Sequence, residues 1–208
     1  MKRIRSQLNP NTKWRWDKKY GRYIEENYIR SDSKHLLKFM HLFESADSIL
    51  DFGSGLGGNV QYLASQLKNT RFVLIDHSET SQEYVRNKML GTDDNKGNSF
   101  EYHPDLDQVP DLSGSLAMSL EVLEHLTEYK KILDELWRKL KSGGILLISV
   151  PVLGIRDRTR LHVNKITVNS MFRILTQYAE TVHIAPRSYS KRSHRLSTAY
   201  FYVEKAHS

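Results

Sequence analysis

The sequence predicts an α/β chain built on a doubly wound sheet of seven strands, mostly parallel, with an antiparallel pair at the C-terminal end. Three observations carry this. Short apolar, β-branched-rich runs at 48–53, 71–76, 99–103, 116–120 and 144–150 alternate with helical patterns at 57–68, 79–90 and 127–141. Strict alternation implies parallel pairing through right-handed crossovers. Two further runs, 180–185 and 198–204, have no helix between them and so pair antiparallel. A glycine-rich loop, Gly53-Ser54-Gly55-Leu56-Gly57-Gly58, joins the first strand to its helix.

Taken in order, helical patterns at 18–29 and 33–43 precede the first strand. The segment Trp14-Arg-Trp-Asp-Lys-Lys-Tyr-Gly-Arg-Tyr23 mixes aromatic rings with positive charge. It reads either as core contacts of a helix or as a segment that closes over a ligand and stacks on substrate. The first strand contains Ile49 and Leu50 and runs into the glycine loop. Glycines permit positive φ and let backbone amides approach a ligand that side chains would otherwise block. Asp76 ends the second strand nineteen residues after Gly57, near the spacing at which a carboxylate receives ribose hydroxyls. The expected ligand is therefore a nucleoside cofactor. The loop also satisfies the dinucleotide pattern G-x-G-x-x-G, but Asp51 stands two residues before its first glycine. A carboxylate there repels a pyrophosphate and suits an amino-acid moiety, which argues against NAD. Further along, Asp93–Asn98 is a polar loop and 167–178 a helix.

Downstream segments narrow the reading. Glu121-Val-Leu-Glu124-His125-Leu follows the fourth strand, and Ser142-Gly-Gly144 precedes the fifth. Together with Asp51-x-Gly53-x-Gly55-x-Gly57 and Asp76, they resemble the motifs of the class I S-adenosylmethionine-dependent methyltransferases, over roughly residues 46–151. The resemblance implies a Rossmann-like fold with an antiparallel pair at one sheet edge. It implies S-adenosyl-L-methionine as cofactor and S-adenosyl-L-homocysteine as product. Asp51 and the backbone of Gly53, Ser54, Gly55 and Gly57 would hold the methionine portion, and Asp76 the ribose hydroxyls. His77 would flank the adenine, Asp105 would face its amino group, and Glu121 would join the cofactor set at the cleft mouth. One departure stands out: Gly114-Ser115 occupies the start of the fourth strand, where many relatives have Phe-Asp. That argues against amine methyltransferases needing an acid there, and leaves open a module that binds the cofactor without transfer.

Methyl transfer is an in-line displacement, so alignment and desolvation are the main catalytic tasks. A general base is needed only where the nucleophile must lose a proton, as a hydroxyl must. His125, Glu124 and His162 are the expected catalytic residues. An alternative makes Glu121, Glu124, His125 and His162 ligands of a divalent ion such as Mg²⁺, which would lower the pKa of a bound hydroxyl. A similar set occurs in small-RNA 3′-terminal ribose 2′-O-methyltransferases, and E-x-x-E-H alone in ubiquinone-pathway O-methyltransferases. In many small-molecule methyltransferases a Glu-His pair here binds no metal, and no metal is the expectation adopted.

At 208 residues the chain reads as one domain: an N-terminal helical segment (1–45), a cofactor-binding core (46–151) and an acceptor-side part (152–208). It has no cysteine, which excludes disulfides and thiolate metal sites. No apolar stretch is long enough to span a membrane and none follows the basic N-terminus, so neither a membrane span nor a secretory signal is expected. A cytoplasmic location fits. The net charge of +7 is uneven: +6 over 1–45, −6 over 46–150 and +7 over 151–208. Basic flanks around an acidic core point to a small anionic acceptor, such as a phosphate, nucleotide-sugar or lipid head group, with RNA as the lesser alternative. Arg156, Arg158 and Arg160 form one basic cluster near His162, and Arg187, Lys191, Arg192 and Arg195 a second, within a loop expected over Pro186–Arg195. Both suit phosphate or carboxylate.

Overall fold

The computed structural model of the chain describes residues 11–29, 32–89, 96–189 and 196–207. The strands are β1 (Ser48–Phe52), β2 (Arg71–Ile75), β3 (Ser99–His103), β4 (Gly114–Leu120), β5 (Leu140–Pro151), β6 (His183–Tyr189) and β7 (Leu196–Glu204). The helices are α1 (Lys13–Glu25), α2 (Ser33–Leu36), α3 (Met40–Glu44), α4 (Gly58–Gln66), α5 (Glu79–Lys88), α6 (Tyr129–Lys139) and α7 (Val168–Leu175). One seven-stranded sheet runs in the order β3-β2-β1-β4-β5-β7-β6. β1 to β5 are mutually parallel, and β7 lies antiparallel between β5 and β6.

The apolar runs of the central strands are continuous rather than alternating because both faces of the sheet are covered. Successive residues point to opposite faces. Leu50, Val73, Ile75, Ala117, Leu146 and Ile148 join one core, with Leu133 and Leu136 of α6 and Met171 of α7. Ile49, Phe72, Leu74, Leu116, Met118 and Leu147 join the other, with Val60 of α4 and Val85 of α5. Caps fix two helix starts. The Ser78 hydroxyl accepts from the Ser81 amide at α5, and Thr167 and Ser170 cap α7 reciprocally.

Several expected boundaries shift. α1 begins at Lys13 rather than 18, and 33–43 is α2, a 3₁₀ turn at Leu37–Phe39 and α3. The turn expected at Ser142–Gly144 lies inside β5: Gly143 has φ +71°, and the register against β4 jumps between Gly114 and Leu116. Pro186 and Arg187, expected in a loop, belong to β6. β6 is the sheet edge, where a proline without an N–H is tolerated, and the register slips beside it. Residues 93–95 of the Asp93–Asn98 loop, and Lys191, Arg192 and Arg195, lie outside the described residues.

The Gly114-Ser115 departure is a strand brace. It sits at the amino end of β4, whereas the cleft described below lies beyond the carboxyl ends. A Cβ on Gly114 would stand 2.8 Å from Leu50 Cδ1. The hydroxyls of Ser115 and Ser48 donate to Asp47, and Lys141 Nζ lies 3.0 Å from the same carboxylate. These bonds, that of Ser115 foremost, pull the Asp47 carboxyl down to about 2.

Candidate active site

β1 lies between β2 and β4, so the chain departs to opposite sides at this point and a crevice opens beyond the carboxyl ends. A cavity of about 440 Å³ fills it. Its floor is the loop from Gly53 to Leu56, its walls are the ends of β2 and β4, and Trp16, Tyr20 and Tyr23 of α1 form its roof.

The loop is a cradle that side chains would fill. Gly53 has φ +77°, and a Cβ there would lie 2.4 Å from Val122 Cγ2. Gly55, at φ +52°, would place one 3.1 Å from Tyr20 Oη. Ser54 lines the cavity with its hydroxyl buried and without a hydrogen-bond partner.

Asp76 is positioned by what donates to it. The Gly55 amide reaches Oδ2 at 2.9 Å, the Ser78 amide reaches Oδ1 at 3.0 Å, and Tyr20 Oη donates to Oδ2 at 3.3 Å. Burial raises the Asp76 pKa against the opposing pull of these bonds. Burial first, and then the same carboxylate, hold the Tyr20 phenol well above its ordinary value. Tyr102 Oη braces the strand end by donating to the Asp76 carbonyl. His77 and Asp105 also line the cavity, as expected, His77 half-exposed with Nδ1 3.9 Å from Asp76 Oδ1.

Asp51 lies beneath the loop, 1% exposed, with its Oδ2 lacking any hydrogen bond. Burial first, then the charges of Asp76 and Asp32, push its carboxyl up to about 8. A raised acid keeps its proton in the folded chain where the unfolded chain has lost it. Folding stability therefore falls as pH rises from the unfolded value of 3.8 to about 8. Asp51→Asn should remove that slope. Its advantage in thermal stability over the wild type should widen between about pH 5 and pH 8, by on the order of 1–3 kcal/mol. Melting curves at both pH values check this, and a constant gap would mean that Asp51 does not titrate there. A cation brought beside the carboxyl favours its charged form, so the same variant should bind an ammonium-bearing ligand less well.

After β4 the chain turns sharply. Glu121 takes φ +60°, its amide donates to the Ser149 carbonyl at 2.8 Å, and a 3₁₀ turn over Leu123–His125 follows. Glu121 lines the cavity and receives the Ser149 hydroxyl at 3.4 Å, with Arg187 Nη1 3.8 Å away. Arg187 also pairs with Asp32 at 2.5 Å, and Tyr200 Oη donates to Asp32 at 3.0 Å. Arg187 is thus a half-buried brace between two carboxylates rather than part of an exposed basic cluster.

Glu124, His125 and His162 come together, with ligand atoms within 4.8 Å of one another. His125 Nδ1 lies 3.0 Å from the Leu161 carbonyl, so that nitrogen carries a proton and donates. His162 Nδ1 is held by Asp157 at 2.6 Å. The two Nε2 atoms stand 3.8 and 3.9 Å from Glu124 Oε1. His125 lines the cavity, and Glu124 and His162 stand behind it. The four expected metal candidates thus separate: Glu121 faces Arg187, and the other three cluster.

Tyr20, Asp32 and Asp157, which contact Asp76, Arg187 and His162, are positions at the site that motif reading missed. Tyr20 carried a signal in the aromatic-basic segment; Asp32 and Asp157 carried none, since only tertiary folding brings them to Arg187 and His162.

A family profile described as "Methyltransferase domain" matches residues 50–146. A probable S-adenosylmethionine-dependent methyltransferase of Mycolicibacterium smegmatis is 28% identical over 61% of this chain and 47% of its own length. One from Mycobacterium tuberculosis is 25% identical over 51% of this chain and 36% of its own. The chain thus spans less than half the length of these curated relatives. Among solved structures, Haemonchus contortus phosphoethanolamine N-methyltransferase 2 superposes with a TM-score of 0.67 at 14% identity, covering 97% of this chain and 59% of that one. An S-adenosylmethionine-dependent methyltransferase from Mesorhizobium loti gives 0.60 at 16% identity, covering 81% and 97%. The residues lining the cavity fit that family's cofactor: the glycine cradle, the orphaned Ser54 hydroxyl and the Asp76 carboxylate suit an amino acid joined to a nucleoside, while Asp51 lies buried beneath the loop and outside the cavity lining. The matched region, residues 50–146, is a methyltransferase domain, and the curated relatives and the fold support the class I S-adenosylmethionine-dependent family.

Proposed function

We propose that the chain catalyses methyl transfer from S-adenosylmethionine to an oxygen of a small acceptor bearing an anionic group. The observation that carries this is His125, an imidazole that lines the cavity and is oriented by the contact of its Nδ1 with the Leu161 carbonyl; a base at this position would take the proton of an acceptor hydroxyl. The bound cofactor supplies an electrophilic methyl on a sulfonium. Asp76 orients the nucleoside, and the Gly53–Gly57 backbone and Asp51 receive the amino-acid end. Trp16, edge-on to His125 with ring centroids 5.1 Å apart, fixes the imidazole plane and excludes water. The acidic lining, including Asp32, Asp76, Asp105 and Glu121, suits the cationic cofactor. The acceptor's anion is therefore assigned to the basic rim outside.

Calorimetric titration with S-adenosylmethionine, S-adenosylhomocysteine and NAD tests the cofactor, followed by labelled-methyl transfer to hydroxyl acceptors and their amine analogues. Binding of the first two alone, and transfer to hydroxyls, are expected; NAD binding alone, or transfer to amines only, would overturn the reading.

A second reading rests on the convergence of Glu124, His125 and His162. Two imidazoles, one oriented by a carboxylate, and a buried glutamate suit Zn²⁺ or Mn²⁺ better than Mg²⁺. A bound ion would replace the base, and an RNA ribose hydroxyl would join the possible acceptors. Transfer that survives chelation supports His125 as base; loss on chelation with recovery on added Mn²⁺ supports the metal.

A further inference from the structure

Two exposed features flank the cleft mouth. One is the loop after β5. Gly154, with φ +57°, starts a 3₁₀ turn, and its amide donates to the Ile166 carbonyl at 2.8 Å. Asp157 turns inward, accepting from the Thr159 amide at 2.9 Å and holding His162. Fastened at both points, the loop presents Ile155, 88% exposed, and turns Arg156, Arg158 and Arg160 to solvent. The other feature is the outer face of α1, where Trp14 is 68% exposed and Arg15 and Lys18 stand beside it, with Lys18 Nζ 5.5 Å from the Trp14 ring centre. Asn11 ties the two together, its Nδ2 donating to the carbonyls of Leu161 and His125 at 2.9 and 2.8 Å. Among the described residues, Arg15, Arg156, Arg158 and Arg160 form no ion pair. The rim thus combines unneutralised cations with the two most exposed large apolar side chains.

We propose that this rim docks the protein on an anionic lipid bilayer surface, with Ile155 and Trp14 seated at head-group level and the cleft mouth turned toward the membrane. Clustered Arg and Lys are drawn to anionic head groups, indole favours the membrane interface, and an aliphatic side chain gains by leaving water for the acyl boundary. Ile155 decides against nucleic acid, since an aliphatic tip offers a base no π-face on which to stack. The proposal deepens the function above by naming what the basic rim meets. It rests on that function only for the acceptor's origin, and not for docking itself.

The test is flotation of the full chain with vesicles of phosphatidylcholine alone and with about one third phosphatidylglycerol. Binding to the anionic vesicles only is expected, with release at about 1 M salt. The R156E/R158E/R160E variant should lose roughly tenfold or more in affinity, and Ile155→Ser several-fold. Calorimetry on both variants should return the wild-type affinity for S-adenosylhomocysteine, which separates failed docking from a failed fold or a wrong cofactor. Equal binding to neutral vesicles, or indifference to Ile155→Ser, would overturn the proposal. Tighter binding of a single-stranded RNA oligonucleotide than of anionic vesicles would overturn it in favour of nucleic acid.

Discussion

Asp76→Ala is expected to raise the dissociation constant for S-adenosylhomocysteine roughly a hundredfold to a thousandfold. Hydrogen bonds to a charged acceptor contribute about 1.5–3 kcal/mol each, and two ribose hydroxyls lose theirs together. The variant also strips the Gly55 and Ser78 amides of their acceptor. Unless water replaces it, that costs about 1–3 kcal/mol of folding stability. Two opposing effects limit the loss. A buried carboxylate that is costly to ionise is gone, and Tyr20 no longer competes for Oδ2. Neither approaches the value of two lost charged hydrogen bonds, so binding should fall well beyond what the stability change alone would produce. Calorimetry beside a thermal melt measures both. Near-native affinity in a folded variant would place the nucleoside elsewhere.

His125→Ala should separate chemistry from binding. Losing a positioned base lowers turnover by roughly a hundredfold to ten-thousandfold, while affinity for the cofactor should change by no more than about threefold. The backbone carbonyl of His125 still accepts from Asn11 in this variant, so the segment stays anchored. The ring also packs against Trp16 and His162, with centroids 5.1 and 4.9 Å away, and its removal leaves a gap. His125→Gln, which fills more of that gap but is no base at neutral pH, should be equally slow and more stable. If cofactor binding vanished in both variants, the imidazole would belong to the cofactor side of the cavity.

The parallel half of the fold was legible because its strands are covered on both faces and read as unbroken apolar runs between glycine and helix signals. The cofactor side was legible for a related reason: Gly53, Gly55 and Asp76 act through backbone conformation and strand position, which local sequence encodes. The acceptor side was less so. Arg187 looks in sequence like one cation in a basic run, and only the edge-strand register of β6 and its approach to Asp32 reveal a half-buried brace. Asp157 looks like a break in an arginine cluster, yet it holds His162. Glu121 and Glu124 share one motif three residues apart, but the positive φ at Glu121 sends their carboxylates to different partners.

α1 contributes no fully buried side chain. It is held on the domain by the ring contact of Trp16 with His125 and by polar contacts: Asp17 to the Ser78 hydroxyl and the Thr80 amide, Lys13 to Glu79, and Tyr20 to Asp76. Detaching it therefore exposes little of either core, and the work of opening the cleft is decoupled from the stability of the sheet. Lifting α1 would release the Tyr20 bond to Asp76 and the Trp16 contact with His125 while leaving both apolar cores packed. Sequence changes in α1 can then tune how long a cofactor or its product remains bound, without altering how strongly the domain is folded.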